Sequence, residues 1–222
     1  MSLPNILYIH SHDTGRYVQP YGYDIPTPNI QRLAETGVIF RQAFTPSPTC
    51  SPSRACLLTG QYAHNNGMLG LAHRGFRLND YGRHIIHTLK REGYTTALAG
   101  IQHIANSFEE PWKAIGYDMQ LGEPSPKDAG PNLPDNNAEV AAVEFLTNHP
   151  PGPLFLSVGF KETHRQFPRP SDNANSDHIQ PPALLPDTPE IRQDMARFRL
   201  SARQLDQKMG EVFDALERCG LK

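Results

Sequence analysis

The chain has 222 residues, 38% hydrophobic and 20% charged, with 21 Lys and Arg against 23 Asp and Glu for a net charge of −2. A mean hydropathy of −0.52, with no apolar run near the ~20 residues of a membrane span, excludes a helical transmembrane protein. The balanced charge argues against nucleic-acid binding through bulk electrostatics.

The run Asn5-Ile6-Leu7-Tyr8-Ile9-His10-Ser11 is short and nearly continuously apolar, the pattern of a strand buried on both faces. The polar cluster His12-Asp13-Thr14-Gly15 follows it. Thr27 and Pro28 then read as N-cap and first residue of a helix closed by Gly37, with Ile30, Leu33 and Ala34 as its inner stripe. Residues 38–44 read as a second strand. A helix is expected from Ser51-Pro52 to Gly60, and another over 83–92 with Ile85, Ile86 and Leu89 inward and Gly93 as its stop.

Residues 95–101 predict a strand, and 137–147 a helix packing through Val140, Val143 and Phe145. Residues 154–160 predict a further buried strand. Residues 165–189 are rich in Pro, Asp and Asn and read as a long ordered excursion within the domain. Thr188-Pro189 opens a long helix ending at Cys219-Gly220, with Gly210 as a place where it bends or breaks. Strands alternating with helices predict an α/β fold, a mostly parallel sheet with helices on both faces. In such sheets sites form at the carboxyl ends of the strands, where the sequence places His12-Asp13, His103 and 161–164.

Cys50, Cys56 and Cys219 have neither the number for a disulfide scaffold nor the Cys-x-x-Cys spacing of a structural zinc site. The N-terminus has no basic segment and no apolar run long enough for a secretion signal. The chain is therefore cytoplasmic, or exported with its leader absent from this numbering.

The most informative stretch is Pro48-Thr49-Cys50-Ser51-Pro52-Ser53-Arg54-Ala55-Cys56-Leu57-Leu58-Thr59-Gly60. It puts a nucleophile-capable side chain at a helix N-terminus, where free N–H groups and the helix dipole favour an anion. Arg54 adds a positive fork within the first turn. The same residues also suit an ordinary buried cysteine beside a structural arginine.

Cys50-Ser51-Pro52-Ser53-Arg54, extended by Leu57-Leu58-Thr59-Gly60, resembles the Cys-x-Pro-x-Arg signature of the sulfatases. The resemblance implies conversion of Cys50 to formylglycine by a formylglycine-generating enzyme. A hydrated aldehyde then attacks sulfur, and sulfate leaves as the aldehyde reforms. It covers nearly the whole chain in order. Pro4-Asn5-Ile6-Leu7 followed by His12-Asp13 looks like the family's opening strand, which ends in two metal-binding acids. Here His12 replaces the first acid. The resemblance thus implies a divalent metal on Asp13, His12 and the converted Cys50: Ca²⁺, or Mg²⁺ or Mn²⁺ in its place.

Residues 96–103 resemble the strand ending in Gly-Lys-x-His. His103 takes the histidine that contacts the diol, and Ile101 stands where the lysine should be. Residues 154–164 resemble the next site strand. His164 matches the histidine that assists substrate binding or leaving-group protonation, and Lys161 is a candidate replacement for the missing lysine in substrate binding. Gln61, His64, Asn65, Asn66, His73 and His84 read as structural or rim residues, and Trp112 and Tyr117 as packing.

The stretch 186–216 resembles the helix before the family's last site strand, nearest the heparan N-sulfatase branch. The chain stops before the strand that in the family completes the metal site. It is therefore read as the N-terminal part of a single, C-terminally incomplete catalytic domain of the alkaline-phosphatase/sulfatase type, expected to be inactive alone. The expected substrate is a sulfate ester or sulfamate on a small molecule or saccharide. A phosphonate or phosphate monoester hydrolase of the same superfamily, and a non-catalytic anion-binding fragment, remain the alternatives.

Overall fold

The structure is a computed structural model that describes residues 3–105, 109–123, 137–148, 152–168 and 178–221. Its strands are β1 (Ile6–His10), β2 (Thr95–Gly100), β3 (Met119–Leu121) and β4 (Leu154–Gly159). Its α-helices are α1 (Pro28–Thr36), α2 (Cys50–Thr59), α3 (Ala63–Asn66), α4 (Ile85–Arg91), α5 (Pro111–Ile115), α6 (Ala138–Thr147) and α7 (Pro189–Arg218). By their contacts these residues form two compact units, Met1–His10 with Gln42–Lys161 and Glu211–Lys222, and Ser11–Arg41 with Glu162–Gly210.

The first unit holds a sheet of order β1-β4-β2-β3 with every pairing parallel. Three of the four sequence-predicted strands therefore lie side by side in one sheet. Their register sets His10 opposite Gly159, and Gly159 opposite Gly100, so three carboxyl ends finish level. One face is covered by a core in which Leu98 and Phe155 pack with Ala55 and Leu58 of α2, Ile86 of α4 and Ile115 of α5. The other carries α6 and the end of α7, where Leu7, Leu154 and Leu156 meet Leu146, Leu216 and Leu221 around a cavity of about 150 Å³. Helices thus cover both faces of the parallel sheet, as the alternation of elements required.

The second unit contains α1 and most of α7. Its core joins Ile25, Phe198 and Ala202 with Tyr17, Tyr23, Phe167 and Met195. Thr27 stands at the N-cap of α1 and Pro28 at its first position, yet the Thr27 hydroxyl does not cap the helix. It accepts from the Gln19 N–H at 2.9 Å instead. The cap comes from Asp206 of α7, whose carboxylate accepts from the N–H groups of Asn29 and Ile30.

Four sequence expectations are corrected. Residues 38–44 form no strand: Val38, Phe40 and Phe44 are 79, 71 and 87% exposed, and a run rich in β-branched and aromatic residues makes a strand only where an edge pairs with it. Leu33 is 50% exposed, leaving Ile30 and Ala34 as the half-buried stripe of α1. Ile85 of α4 also faces out, while Ile86 is fully buried. In α6 the inward stripe is Ala138, Ala142 and Leu146, and Val140 is exposed.

Helix α7 runs unbroken through Gly210. There the missing side chain makes room for Asn29, whose Cγ would lie 2.5 Å from a Cβ. Of the expected excursion at 165–189, residues 165–168 and 178–188 carry no helix or strand, and residues 169–177 lie outside the described residues.

Candidate active site

Within the first unit, Cys50 is the first residue of α2, and the side chain of the N-cap residue Thr49 does not cap that helix end. The Cys50 sulfur and an imidazole nitrogen of His103 lie within 4.8 Å of each other. His103 is only 4% exposed and follows β2 with a positive φ of 60°, an uncommon backbone conformation for a residue with a side chain. The turn beneath it is held by Gln102, whose side-chain carbonyl accepts from the N–H groups of Ile104 and Ala105 at 2.6 and 2.9 Å.

Arg54 lies four residues after Cys50, one turn along α2, and therefore on the same side of the helix. It is 8% exposed. A guanidinium nitrogen of Arg54 meets Nδ1 of His10, and because arginine only donates, Nδ1 accepts and Nε2 carries the proton. Burial pushes the Tyr8 hydroxyl above its ordinary pKa, and the charge of Arg54 opposes the rise. The buried Ser51 hydroxyl accepts from the Ala72 N–H at 3.0 Å, so it anchors the helix start and is already engaged. Thr45 bonds Ser53 at 2.9 Å and holds the approach to α2.

No Cβ fits at Gly159, where it would lie 2.0 Å from the Ile101 carbonyl and 2.5 Å from Cε1 of His10. The strand ends that carry His10 and lead to His103 are therefore drawn together over a glycine. Ile101, at the family's lysine position, is buried, and Lys161 is half-buried just past β4.

Within the second unit, His12 is 1% exposed and its backbone is held at both polar groups. Its N–H donates to the Glu162 carbonyl at 2.8 Å, and its carbonyl accepts from the N–H and hydroxyl of Thr163 at 2.8 and 2.9 Å. The His164 ring stands edge-on to the His12 ring at 5.7 Å, and its Nδ1 meets the Arg165 carbonyl. Asp13 is exposed, with a φ of 53°.

The structure thus brings Cys50 and His103 together in one unit, with Arg54 fixed nearby, and His12 with His164 in the other. His10 was missed by sequence reasoning. The only signal for it was positional: with Tyr8 it occupies alternate positions of β1 and it ends the strand. The supporting residues are where the sequence placed them. Tyr117 is buried in the core with Trp112 packed against it. Asn66 is buried and bonds the Gln61 carbonyl. His84 is the N-cap of α4, its Nδ1 accepting from the Ile86 N–H.

A cysteine-headed helix and a buried histidine stand together at the carboxyl edge of a parallel α/β sheet, the place where such sheets form their sites. The sulfatase family profile matches residues 4–222, and the chain belongs to the sulfatase family. It is 29% identical to human N-sulphoglucosamine sulphohydrolase over 89% of this chain and 43% of that protein. Ps i-CgsB, solved with k-i-k-neocarrahexaose, superposes with a TM-score of 0.71 at 22% identity, over 98% of this chain and 56% of that one. A structure solved with its substrate D-glucosamine-2-N,6-O-disulfate gives a TM-score of 0.70 at 18% identity, over 98% and 63%. At these identities the structural likeness shows the shared sulfatase fold. The chain spans 43, 41 and 37% of the length of three curated sulfatases it matches.

Proposed function

We propose that this chain carries the nucleophile of a sulfatase that hydrolyses a sulfate ester or sulfamate on a saccharide, with formylglycine made from Cys50. The observation that carries the reading is the pairing of Cys50 at the head of α2 with buried His103. The thiol of Cys50 stands where the converted residue would be. When converted, the residue supplies a geminal diol, one oxygen of which displaces the alcohol or amine from sulfur while the other then releases sulfate.

This chain's own residues do the rest. Arg54 and the N-terminus of α2 place positive charge where the sulfuryl oxygens gain negative charge. His103 sits within reach of the Cys50 side chain to hold and take its proton. His164 is the donor to the leaving oxygen or nitrogen, and Lys161 a further cation for the sulfate. The saccharide part rests on relatives named for glucosamine and galactosamine sulfates.

A divalent cation belongs to the proposal, on Asp13 and His12. One carboxylate and one buried imidazole would make a mixed oxygen–nitrogen donor set. That set fits Mn²⁺, which accepts both, better than Ca²⁺, which takes six to eight oxygens. Bound there, the cation would neutralise charge on the sulfuryl group.

The test is co-expression with a formylglycine-generating enzyme, followed by mass spectrometry of the Cys50 peptide. Aldehyde at Cys50 is the expected result. A peptide that keeps its thiol while a control sulfatase is converted overturns the reading.

A further inference from the structure

The second unit contains a buried ion pair that no catalytic step above uses. Nζ of Lys208 lies 3.1 Å from Oε1 of Glu162, with the two side chains 15% and 4% exposed. A buried pair of this kind gains little net stability, because the desolvation of two charges offsets their attraction. Well-packed apolar residues often do as well. Its value has to be sought in what it holds in place.

What it holds is the backbone on which His12 depends. The Glu162 main chain accepts the His12 N–H, and the next residue, Thr163, binds the His12 carbonyl twice. The residue after that is His164, whose ring meets the His12 ring. The Glu162 side chain meets Lys208 of α7. Two residues before Lys208 on the same helix, Asp206 caps α1. Residues two apart on a helix differ in direction by roughly 200°, so α7 grips α1 with one side and the 162–164 segment with the other.

We propose that Lys208 and Glu162 are positioning residues: their ion pair fixes the 162–164 segment to α7 and thereby sets the placement of His12 and His164. The functional consequence rests on the reading of these two histidines as site residues. The positioning itself is a property of this chain alone.

The experiment compares wild type with Lys208→Met/Glu162→Met, Lys208→Met and Lys208→Arg by residue-resolved hydrogen exchange. The His12 amide reports the clamp. In the double methionine variant the overall unfolding midpoint should stay near wild type, while protection of the His12 amide falls at least tenfold. Lys208→Arg keeps the charge and should hold His12 protection within about twofold, and this conservative rescue is the arm that stands if either methionine variant fails to fold. Wild-type protection of His12 in a folded methionine variant overturns the proposal. So does a loss spread evenly over all amides of the unit, or a tenfold loss in the arginine variant.

A second readout uses Mn²⁺ alone as probe, following paramagnetic broadening of the His12 and His164 ring resonances. The double variant should need about tenfold more Mn²⁺ for the same broadening. If wild type shows no broadening, the metal reading fails, and the exchange result still decides whether the ion pair positions His12.

Discussion

Asp206 and Ile30 are 176 residues apart in sequence, yet an Asp206 carboxylate oxygen accepts the Ile30 N–H at 2.8 Å. The second oxygen takes the Asn29 N–H at 3.2 Å and the Asn29 side-chain amide at 3.0 Å. Pro28 has no N–H and the Gln31 N–H bonds the Thr27 carbonyl, so one buried carboxylate satisfies both remaining N–H groups of the first turn of α1, those of Asn29 and Ile30, and its charge suits that end of the helix dipole. Asp206→Ala should destabilise the protein by about 1–3 kcal/mol, the sum of a lost cap and donors left buried. Asp206→Asn should lose less, because it keeps an acceptor. Denaturant unfolding measures both, and an alanine variant as stable as wild type would show that water replaces the cap.

Gly159 is the pivot of the sheet's carboxyl edge. A Cβ there would collide with a main-chain oxygen at 2.0 Å, and backbone cannot swing aside as a flexible side chain can. Gly159→Ala should therefore cost on the order of 3 kcal/mol, at or beyond the upper end for overpacking. It should also separate β4 from the turn leading to His103. Unfolding midpoints test the first claim, and exchange at the Ile101 amide, which donates to the Gly159 carbonyl at 3.0 Å, tests the second.

β4 was legible because burial on both faces writes itself as a continuous apolar run, Leu154-Phe155-Leu156-Ser157-Val158; β1 carries the same kind of run but is only half-buried. Cys50 and Arg54 were legible because helix-start chemistry and a resemblance coincide there. Val38 to Phe44 misled because a run rich in Val, Ile and Phe reports a capacity to pair, and pairing also needs an edge to pair with. Asp206, Lys208 and His10 act through partners far away in sequence or across the sheet, and no local period encodes such a partner. Thr27 shows the same limit at close range: the residue type was right for a cap, but Gln19 engages the hydroxyl first.

His84 gives the protein a built-in sensitivity to acid. Burial, with a smaller push from His87, lowers its pKa from 6.5 to about 3, while its Nδ1 accepts from the Ile86 N–H and its ring packs edge-on against Tyr117 at 5.8 Å. The folded state holds His84 neutral where the unfolded chain protonates it. Stability is therefore full above pH 6.5 and falls as pH drops from 6.5 toward 3, by up to about 1.4 kcal/mol per unit. Between pH 7.5 and pH 5 this one group should remove about 2 kcal/mol. His84→Asn keeps a capping acceptor and cannot titrate, so its stability should fall less over the same interval. Parallel losses in the two proteins would place the acid sensitivity elsewhere.

The last prediction concerns how Arg54 is held. Its guanidinium is nearly buried, cannot give up its proton, and meets Nδ1 of His10 at the end of β1. That contact ties the first turn of α2 to the sheet edge and limits the directions in which the charge can point. His10→Leu removes the acceptor and leaves a buried N–H without this partner, at a cost of about 1–3 kcal/mol. It also frees the guanidinium to turn from the head of α2. Stability should fall by that amount, and affinity for inorganic sulfate should fall about tenfold, the equivalent of one charge-assisted hydrogen bond of about 1.4 kcal/mol. His10→Asn restores an acceptor on a shorter side chain and should recover part of both losses, whereas Arg54→Met should lose sulfate affinity whatever stands at position 10. Calorimetric titration with sulfate and denaturant unfolding, run on the four proteins in the same buffer, separate these effects. Sulfate bound equally well by wild type and His10→Leu would mean that Arg54 is aimed by α2 alone, and that His10 only fills space beneath it.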